Sequence, residues 1–487
     1  MLKILMVASE AAPFAKTGGL ADVVGSLPSA LRPYDCEVAV LIPRYRGVDI
    51  TSARRIYDHL PIWLAGVSYD ASLYQADAPT PFYFLDCPVL FDREGYYGNA
   101  KGDFPDNAIR FAVLARAALG VARRVFRPQI LHCHDWQTGL VPVYLRTVFA
   151  NDPTFLGMKT LFTIHNLGYQ GLFPREELPK LGLDRRVFHV DGLEFYGKVS
   201  FIKGGLNYGD ALSTVSRRYA LEIQTPEYGF GLDGVLRARS RALHGIPNGV
   251  DYGSWDPGAD PYIAVHYAAD DLSGKRTCKK DLLRVFGLPE RAMKRPLLGV
   301  VSRLTSQKGT ELLIEIAAEL AAEDMYLVVL GSGDFDYENR LQQAAADDPD
   351  HIAVRLGYDD ALAHKIEAGA DMFLMPSHYE PCGLNQVYSL RYGTVPIVRA
   401  TGGLDDTIEE GTGFKFQEYS AEALLTAIRA ASAVFGDRSA WEAIMRRGMQ
   451  KDFSWGVSAA QYAALYRSLA ERGKRLESSG PLSTSNY

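Results

Sequence analysis

Cysteine is scarce in this chain of 487 residues: there are five, at positions 36, 87, 133, 278 and 382. They are odd in number, scattered, and without metal-binding or redox spacing, which excludes a disulfide framework and predicts reduced thiols in a cytoplasm. No apolar run approaches the roughly 18 residues of a membrane-spanning helix. The opening MLKILMVASE is too short for the apolar core of a signal peptide and carries no cleavage site, so it reads as a first buried strand. No basic run or tail offsets the net charge of −6, so neither a nucleic acid nor a membrane surface is an expected partner. A local basic groove for a phosphorylated small molecule stays open. Two familiar nucleotide signatures are also missing. The lysine of Lys16-Thr17-Gly18-Gly19 precedes its glycines, which is not a triphosphate-binding loop, and Gly331-Ser332-Gly333 falls short of the dinucleotide fingerprint. No cofactor is expected.

What is present is an ordinary globular composition, 47% apolar and 23% charged, in a chain too long for one core and suited to two large domains. Buried strands are expected at Leu2–Ala8, Val38–Ile42, Gln129–Cys133, Thr160–Ile164, Ala211–Val215 and Ala242–Ile246, with helices at Ala21–Leu31, Asn107–Phe126 and Ser200–Asp210. Residues 46–95 read as strands and loops. The aperiodic IPNGVDYGSWDPGAD reads as a linker over 246–260. The pattern then restarts with strands at Leu297–Val301, Tyr326–Leu330, Ala353–Leu356, Met372–Met375 and Val395–Val398, a loop at Ser302–Gly309 and a helix at Thr310–Leu320. This alternation predicts two doubly wound α/β domains, 1–245 and 261–455. A final helix over 456–476 carries a stripe of Ala459, Tyr462, Tyr466 and Leu469, and 477–487 is expected to be disordered.

In doubly wound sheets ligands meet the carboxyl ends of the strands. Applied to both halves, that rule gathers Lys16, Asp135, His165, Arg303, Lys308, Glu380 and two Gly-Gly loops in one cleft. The centre of the pattern is the stretch from Pro376 to Gly403. There a strand ends in a loop holding Glu380, a helix opens at Gly383-Leu384, and Thr401-Gly402-Gly403 follows the next strand with little side chain to block a ligand. One acid beside two anion-friendly loops suggests a sugar hydroxyl held next to a phosphate. Arg303 and Lys308 offer the paired charge a diphosphate leaving group needs. Each residue alone has a plainer reading: Lys16 as a surface lysine, His165 as a hydrogen-bonded core histidine, Cys382 as a small packed residue. His132-Cys133-His134-Asp135 invites a metal reading, yet on a strand Cys133 points away from both histidines, and no second ligand cluster exists. No metal is expected.

The stretches Lys16–Val23, His134-Asp135-Trp136, Thr163–Leu167, Ile246–Asp251, Ser302–Gly309, Glu380–Leu384 and Thr401–Leu404 stand in an order that resembles the bacterial glycogen synthases and plant starch synthases. Asp452–Trp455 fits as well. In the wider class a second Glu often stands eight residues after the first; here that position is Tyr388, which leaves the ribose contact unassigned. The resemblance implies a GT-B architecture, two Rossmann-like domains facing across a deep cleft, with the last helix returning to the first domain. It implies a retaining transfer of glucose from ADP-glucose to the non-reducing end of an α-1,4-glucan such as glycogen, without metal. The rivals are a transferase using a UDP-sugar and an inactive glucan-binding protein of the same fold. By that resemblance Arg303 and Lys308, with the N–H groups of Gly383 and Leu384, neutralise the departing diphosphate. Lys16, Gly18 and Gly19 approach it from the other domain. Glu380 and His165 meet the sugar, Asp135 and Asn166 the acceptor or sugar, and Tyr358 the base. Cys382, Thr401 and Gly402 line the two loops.

Overall fold

The computed structural model describes residues 1–77, 79–99 and 101–479, the last four by their backbone alone. The expected disorder of 477–487 falls outside the described residues from Gly480 onward, while Glu477–Ser479 continue the final helix. The chain divides into two compact units. One comprises Met1–Val215, Ala220–Gly249 and the chain from Trp455 onward; the other comprises Ser216–Tyr219 and Val250–Ser454. No described helix is long and apolar enough to cross a membrane.

The first unit holds a nine-stranded sheet. Its strands are β1 (Leu2–Val7), β2 (Cys36–Pro43), β3 (Arg54–Leu64), β4 (Val67–Ala76), β5 (Phe82–Asp86), β6 (Ile130–His134), β7 (Lys159–Ile164), β8 (Ala211–Thr214) and β9 (Leu243–Gly245). They lie in the order β9-β8-β7-β6-β1-β2-β5-β4-β3. All neighbours are parallel except the β5-β4-β3 edge, where residues 46–95 supply an antiparallel hairpin. The central strands are apolar runs because helices cover both faces of a parallel sheet; Ile4 to Val7 have no exposed surface. Helix α1 (Gly19–Ala30) follows β1, and α2 (Asn107–Arg124) precedes β6, two residues shorter than its periodicity predicts.

The second unit is built on six parallel strands. These are β10 (Leu297–Leu304), β11 (Tyr326–Gly333), β12 (Ile352–Leu356), β13 (Met372–Met375), β14 (Val395–Arg399) and β15 (Phe414–Phe416). Their order is β12-β11-β10-β13-β14-β15. Side chains alternate between two cores: Leu298, Val300, Leu327, Val329, Leu374 and Ile397 enter one, and Leu297, Tyr326, Val328, Leu330, Phe373 and Val398 the other. This period-2 division is what helices on both faces require.

The boundary between the two units falls inside the expected linker over 246–260, and the segment is packed. Ile246–Gly249 belong to the first unit and Val250–Asp260 to the second. Trp255 stacks between the rings of His364 at 3.7 Å and Tyr388 at 4.3 Å. Asp260, 2% exposed, accepts hydrogen bonds from Tyr392 Oη at 2.5 Å and the His364 ring at 2.7 Å. Pro and Gly removed the period from this segment, and its aromatic and acidic side chains anchor it all the same.

The final helix, α3 (Trp455–Ser479), lies in the first unit. Its stripe of Ala459, Tyr462, Tyr466 and Leu469 has no exposed surface. Tyr466 Oη and His132 Nδ1 share a hydrogen bond of 2.7 Å, placing the helix directly behind β6.

Candidate active site

Among the parallel strands of each sheet the order reverses direction once, between β1 and β6 in the first unit and between β10 and β13 in the second. Loops leaving the two strands at such a point diverge to opposite faces and open a crevice between them. Tyr358 apart, the residues singled out in the sequence sit at or next to these two points.

In the first unit the loop after β1 carries Lys16-Thr17-Gly18-Gly19. It is held by Glu10, a carboxylate 3% exposed at the end of the same strand. Glu10 accepts from Thr17 Oγ1 at 2.7 Å, from the Thr17 backbone N–H and from Tyr97 Oη. Lys16 is half exposed and pairs with Asp22 at 2.7 Å. A Cβ placed on Gly18 would stand in open space, and Gly19 begins α1.

Asp135 follows β6, and His165 and Asn166 follow the adjacent β7. The His165 N–H donates to the Asp135 carboxylate at 2.7 Å, and the Asn166 N–H binds the same carboxylate. Asp135 thus ties together two neighbouring strand ends. Its backbone, at φ 56° and ψ −176°, lies in a region that side-chain-bearing residues rarely occupy, at a cost of about 1–3 kcal/mol. Burial pushes its carboxyl up to about 7 against the pull of the two N–H bonds. Burial likewise pushes the His165 imidazole down to about 3, so the ring is neutral at working pH.

The Asp135 shift predicts a pH dependence of stability. In the unfolded chain the carboxyl ionises at the ordinary value, and in the native state near 7. Between the two the native protein holds the extra proton, so this contribution to stability is lost as pH rises through the native value. Asp135→Asn removes the ionisation. Its melting temperature relative to the parent is therefore expected to rise from about pH 5 to about pH 8. A difference that stays flat over that range would mean that Asp135 is ionised throughout.

In the second unit β10 runs to Leu304, three residues past the expected strand end, so Arg303 is the exposed penultimate residue of the strand and not part of a loop. Lys308 and Glu380, on loops after β10 and β13, form an ion pair of 2.5 Å with side chains 19% and 7% exposed. Ser377 Oγ donates to the same Glu380 oxygen, Oε2, at 3.1 Å. The loops are locked by backbone contacts. A Cβ on Gly309 would meet the Pro376 carbonyl oxygen at 2.1 Å; on Gly402, that of Glu380 at 1.9 Å; on Gly403, that of Cys382 at 1.9 Å. The helix expected to open at Gly383-Leu384 starts at Asn385 instead. Gly383, at φ 69°, turns the chain into it. Lys308, Glu380, Cys382, Gly383, Leu384, Thr401 and Gly402 therefore share one locality. Tyr358 does not join them. It follows β12, separated from β13 by two strands, is 85% exposed, and donates to Asp360 at 3.1 Å.

Residues 3–238 match the starch synthase catalytic domain family, and residues 288–439 match the family of group 1 glycosyl transferases. A glycogen synthase of Koribacter versatilis is 51% identical over 99% of this chain and 100% of its own length. One from Syntrophotalea carbinolica is 47% identical over 96% and 99%. The chain belongs to the glycogen and starch synthase family. Its two units are the Rossmann-like domains of the GT-B glycosyltransferase fold. The catalytic domain of starch synthase IV from Arabidopsis thaliana, solved with ADP and acarbose, superposes with a TM-score of 0.87 at 33% identity, covering 96% of this chain and 99% of that one. A sucrose-phosphate synthase from Thermosynechococcus elongatus, 18% identical with a TM-score of 0.62 over 96% and 99%, shares the fold.

Sequence reasoning missed Glu10 and Ser377, and weighed His134 only as a metal ligand and as part of the His134-Asp135-Trp136 stretch. Glu10 was within reach, because it stands at a strand end just before the lysine loop. Ser377 lies three residues before Glu380, a spacing that carries no signal by itself. His134 donates or accepts at 3.0 Å between its Nδ1 and His165 Nε2, a contact between neighbouring strands that no local pattern encodes.

Proposed function

We propose that the chain transfers glucose from ADP-glucose to the non-reducing end of an α-1,4-glucan, with retention at the anomeric carbon. The observation that carries this reading is the second unit's switch point. A buried carboxylate and a lysine meet there beside two loops whose glycines keep the backbone clear for a phosphorylated ligand. Lys308 and Arg303 neutralise the departing diphosphate, assisted by the N–H groups of Gly383 and Leu384. The Lys308 and Ser377 bonds to the Glu380 carboxylate both fall on Oε2, and Oε1 is assigned to hold glucose hydroxyls and to stabilise positive charge as it builds on the ring. Cys382, Thr401 and Gly402 line this side of the ligand, and Tyr358 lies towards the base.

From the first unit, Lys16, Gly18 and Gly19 approach the diphosphate and sugar, His165 binds a sugar hydroxyl, and Asp135 and Asn166 face the acceptor or sugar. No side chain is placed as a nucleophile. The acceptor hydroxyl attacks from the face the diphosphate leaves, and the leaving phosphate oxygen takes its proton. A neutral His165 suits a binding role in this scheme and not that of a general acid. Five cysteines outside any disulfide, four of them buried, support a cytoplasmic setting.

The test is transfer of label from ADP-[14C]glucose into glycogen, run beside UDP-[14C]glucose. Incorporation is expected from the ADP-sugar in preference to the UDP-sugar. Equal or better rates with UDP-glucose, or no transfer from either, would sink the reading. Gly18 gives a finer check. Its extended backbone accepts alanine and the new methyl meets no protein atom, so Gly18→Ala is expected to melt as the parent does. Turnover is expected to fall about tenfold or more, since one misplaced carbon in a fitted site is worth about 1–3 kcal/mol. Unchanged turnover would place the ligand elsewhere.

A further inference from the structure

We propose that His134 is a positioning residue that fixes the His165 ring in its Nδ1–H form, so that His165 meets the sugar as a hydrogen-bond donor. This rests on the reading above that His165 faces the sugar. The two rings share one hydrogen bond, 3.0 Å between His134 Nδ1 and His165 Nε2, and one of the two nitrogens must carry the proton. The other nitrogen of His134 decides which. His134 Nε2 is shut off from solvent, and no hydrogen-bonding atom among the described residues reaches it. A buried N–H without an acceptor is rarer and costlier than a buried lone pair without a donor. His134 Nε2 is therefore the bare nitrogen, and its proton sits on Nδ1. That proton is donated to His165 Nε2, which must itself be bare. A neutral His165 then has its proton on Nδ1, the nitrogen left to meet a ligand.

Neighbouring groups hold this arrangement in place. The His132 ring lies against that of His134, tilted by 36° with ring centroids 4.0 Å apart. Its own nitrogens are both engaged, Nε2 with Thr163 Oγ1 at 2.6 Å and Nδ1 with Tyr466 Oη at 2.7 Å. His132 therefore packs the ring without competing for its hydrogen bonds. Burial holds His134 and His165 below the usual imidazole range, so both keep a single proton and the relay has one sense. The sugar group that His165 recognises is accordingly an oxygen lone pair.

The test reads the tautomers directly, by 15N-histidine NMR on the full-length protein without ligand. His165 and His134 are each expected to show a protonated Nδ1 and a bare Nε2. A proton on His165 Nε2 would overturn the proposal. Two variants give an independent reading. His134→Asn places an amide N–H close to where Nδ1 stood, and His134→Leu removes the donor. His134→Leu is expected to lower kcat by about 10²-fold, the cost of a reacting group held in the wrong geometry, with little change in melting temperature. His134→Asn is expected to recover most of that loss. Equal kcat in both variants would overturn the assignment. If His134→Leu fails to fold, the NMR measurement on the parent decides alone. A parent that showed the expected tautomers yet transferred no glucose would fail the functional reading and leave the tautomer assignment standing.

Discussion

Replacing Lys308 by alanine is expected to lower turnover with ADP-glucose by about 10²–10³-fold, the range for losing a preorganised charge-stabilising group. It is also expected to lower the melting temperature. The second effect follows from the pairing: Glu380 is 7% exposed and loses its cation when Lys308 is truncated. A buried carboxylate left unpaired is destabilising, while the whole pair adds little net stability. Arg303→Ala separates the two effects. Arg303 is exposed at the end of β10, so its loss is expected to cost a similar factor in turnover with little change in melting temperature. Steady-state kinetics and thermal melts on the two variants check this together. Turnover near the parent's in either variant would remove that residue from the leaving-group site.

Truncation after Trp455 is expected to unfold the first unit, not merely to shorten a tail. The deleted helix carries Ala459, Tyr462, Ala463, Tyr466 and Leu469, all without exposed surface. Large buried side chains lost from a core cost about 2–5 kcal/mol each, and a domain's whole stability is about 5–15 kcal/mol. Tyr466→Phe is the mild counterpart. It keeps the ring and loses the hydroxyl hydrogen-bonded to His132 Nδ1, with an expected cost of about 1 kcal/mol. Circular dichroism and size-exclusion chromatography check the truncation. A truncated protein with the parent's melting curve would show that the helix is dispensable to the fold.

The fold was legible because parallel strands covered on both faces are written as continuous apolar runs with polar strand ends, and Ile4–Val7 and Met372–Met375 are such runs. The site was legible for the same reason, since a residue at a strand's carboxyl end is placed by topology whatever its neighbours are. Legibility failed where a contact joins distant strands through side chains. The Lys308–Glu380 pair spans two loops whose adjacency depends on β10 and β13 being neighbours. The His134–His165 bond requires β6 beside β7 in a particular register. Trp255 was obscured in another way: prolines and glycines around it removed the period, so the segment read as a linker with no sign of its packing. Tyr388 stacks on that tryptophan, a contact with no counterpart in the local sequence.

The contacts of Gly309, Gly402 and Gly403 with carbonyl oxygens carry a mechanical consequence. Each is backbone against backbone, at distances that leave no room for a single added carbon. Flexible side chains can absorb a displacement by changing rotamer; peptide groups in direct contact cannot. The Lys308-Gly309 loop bears on Pro376, and the Gly402-Gly403 loop bears on Glu380 and Cys382. The three segments therefore behave as one stiff part with no play between them. Substitutions that shift any one of them will be felt at the other two, and engineering of donor preference has to treat all three as a single unit of redesign.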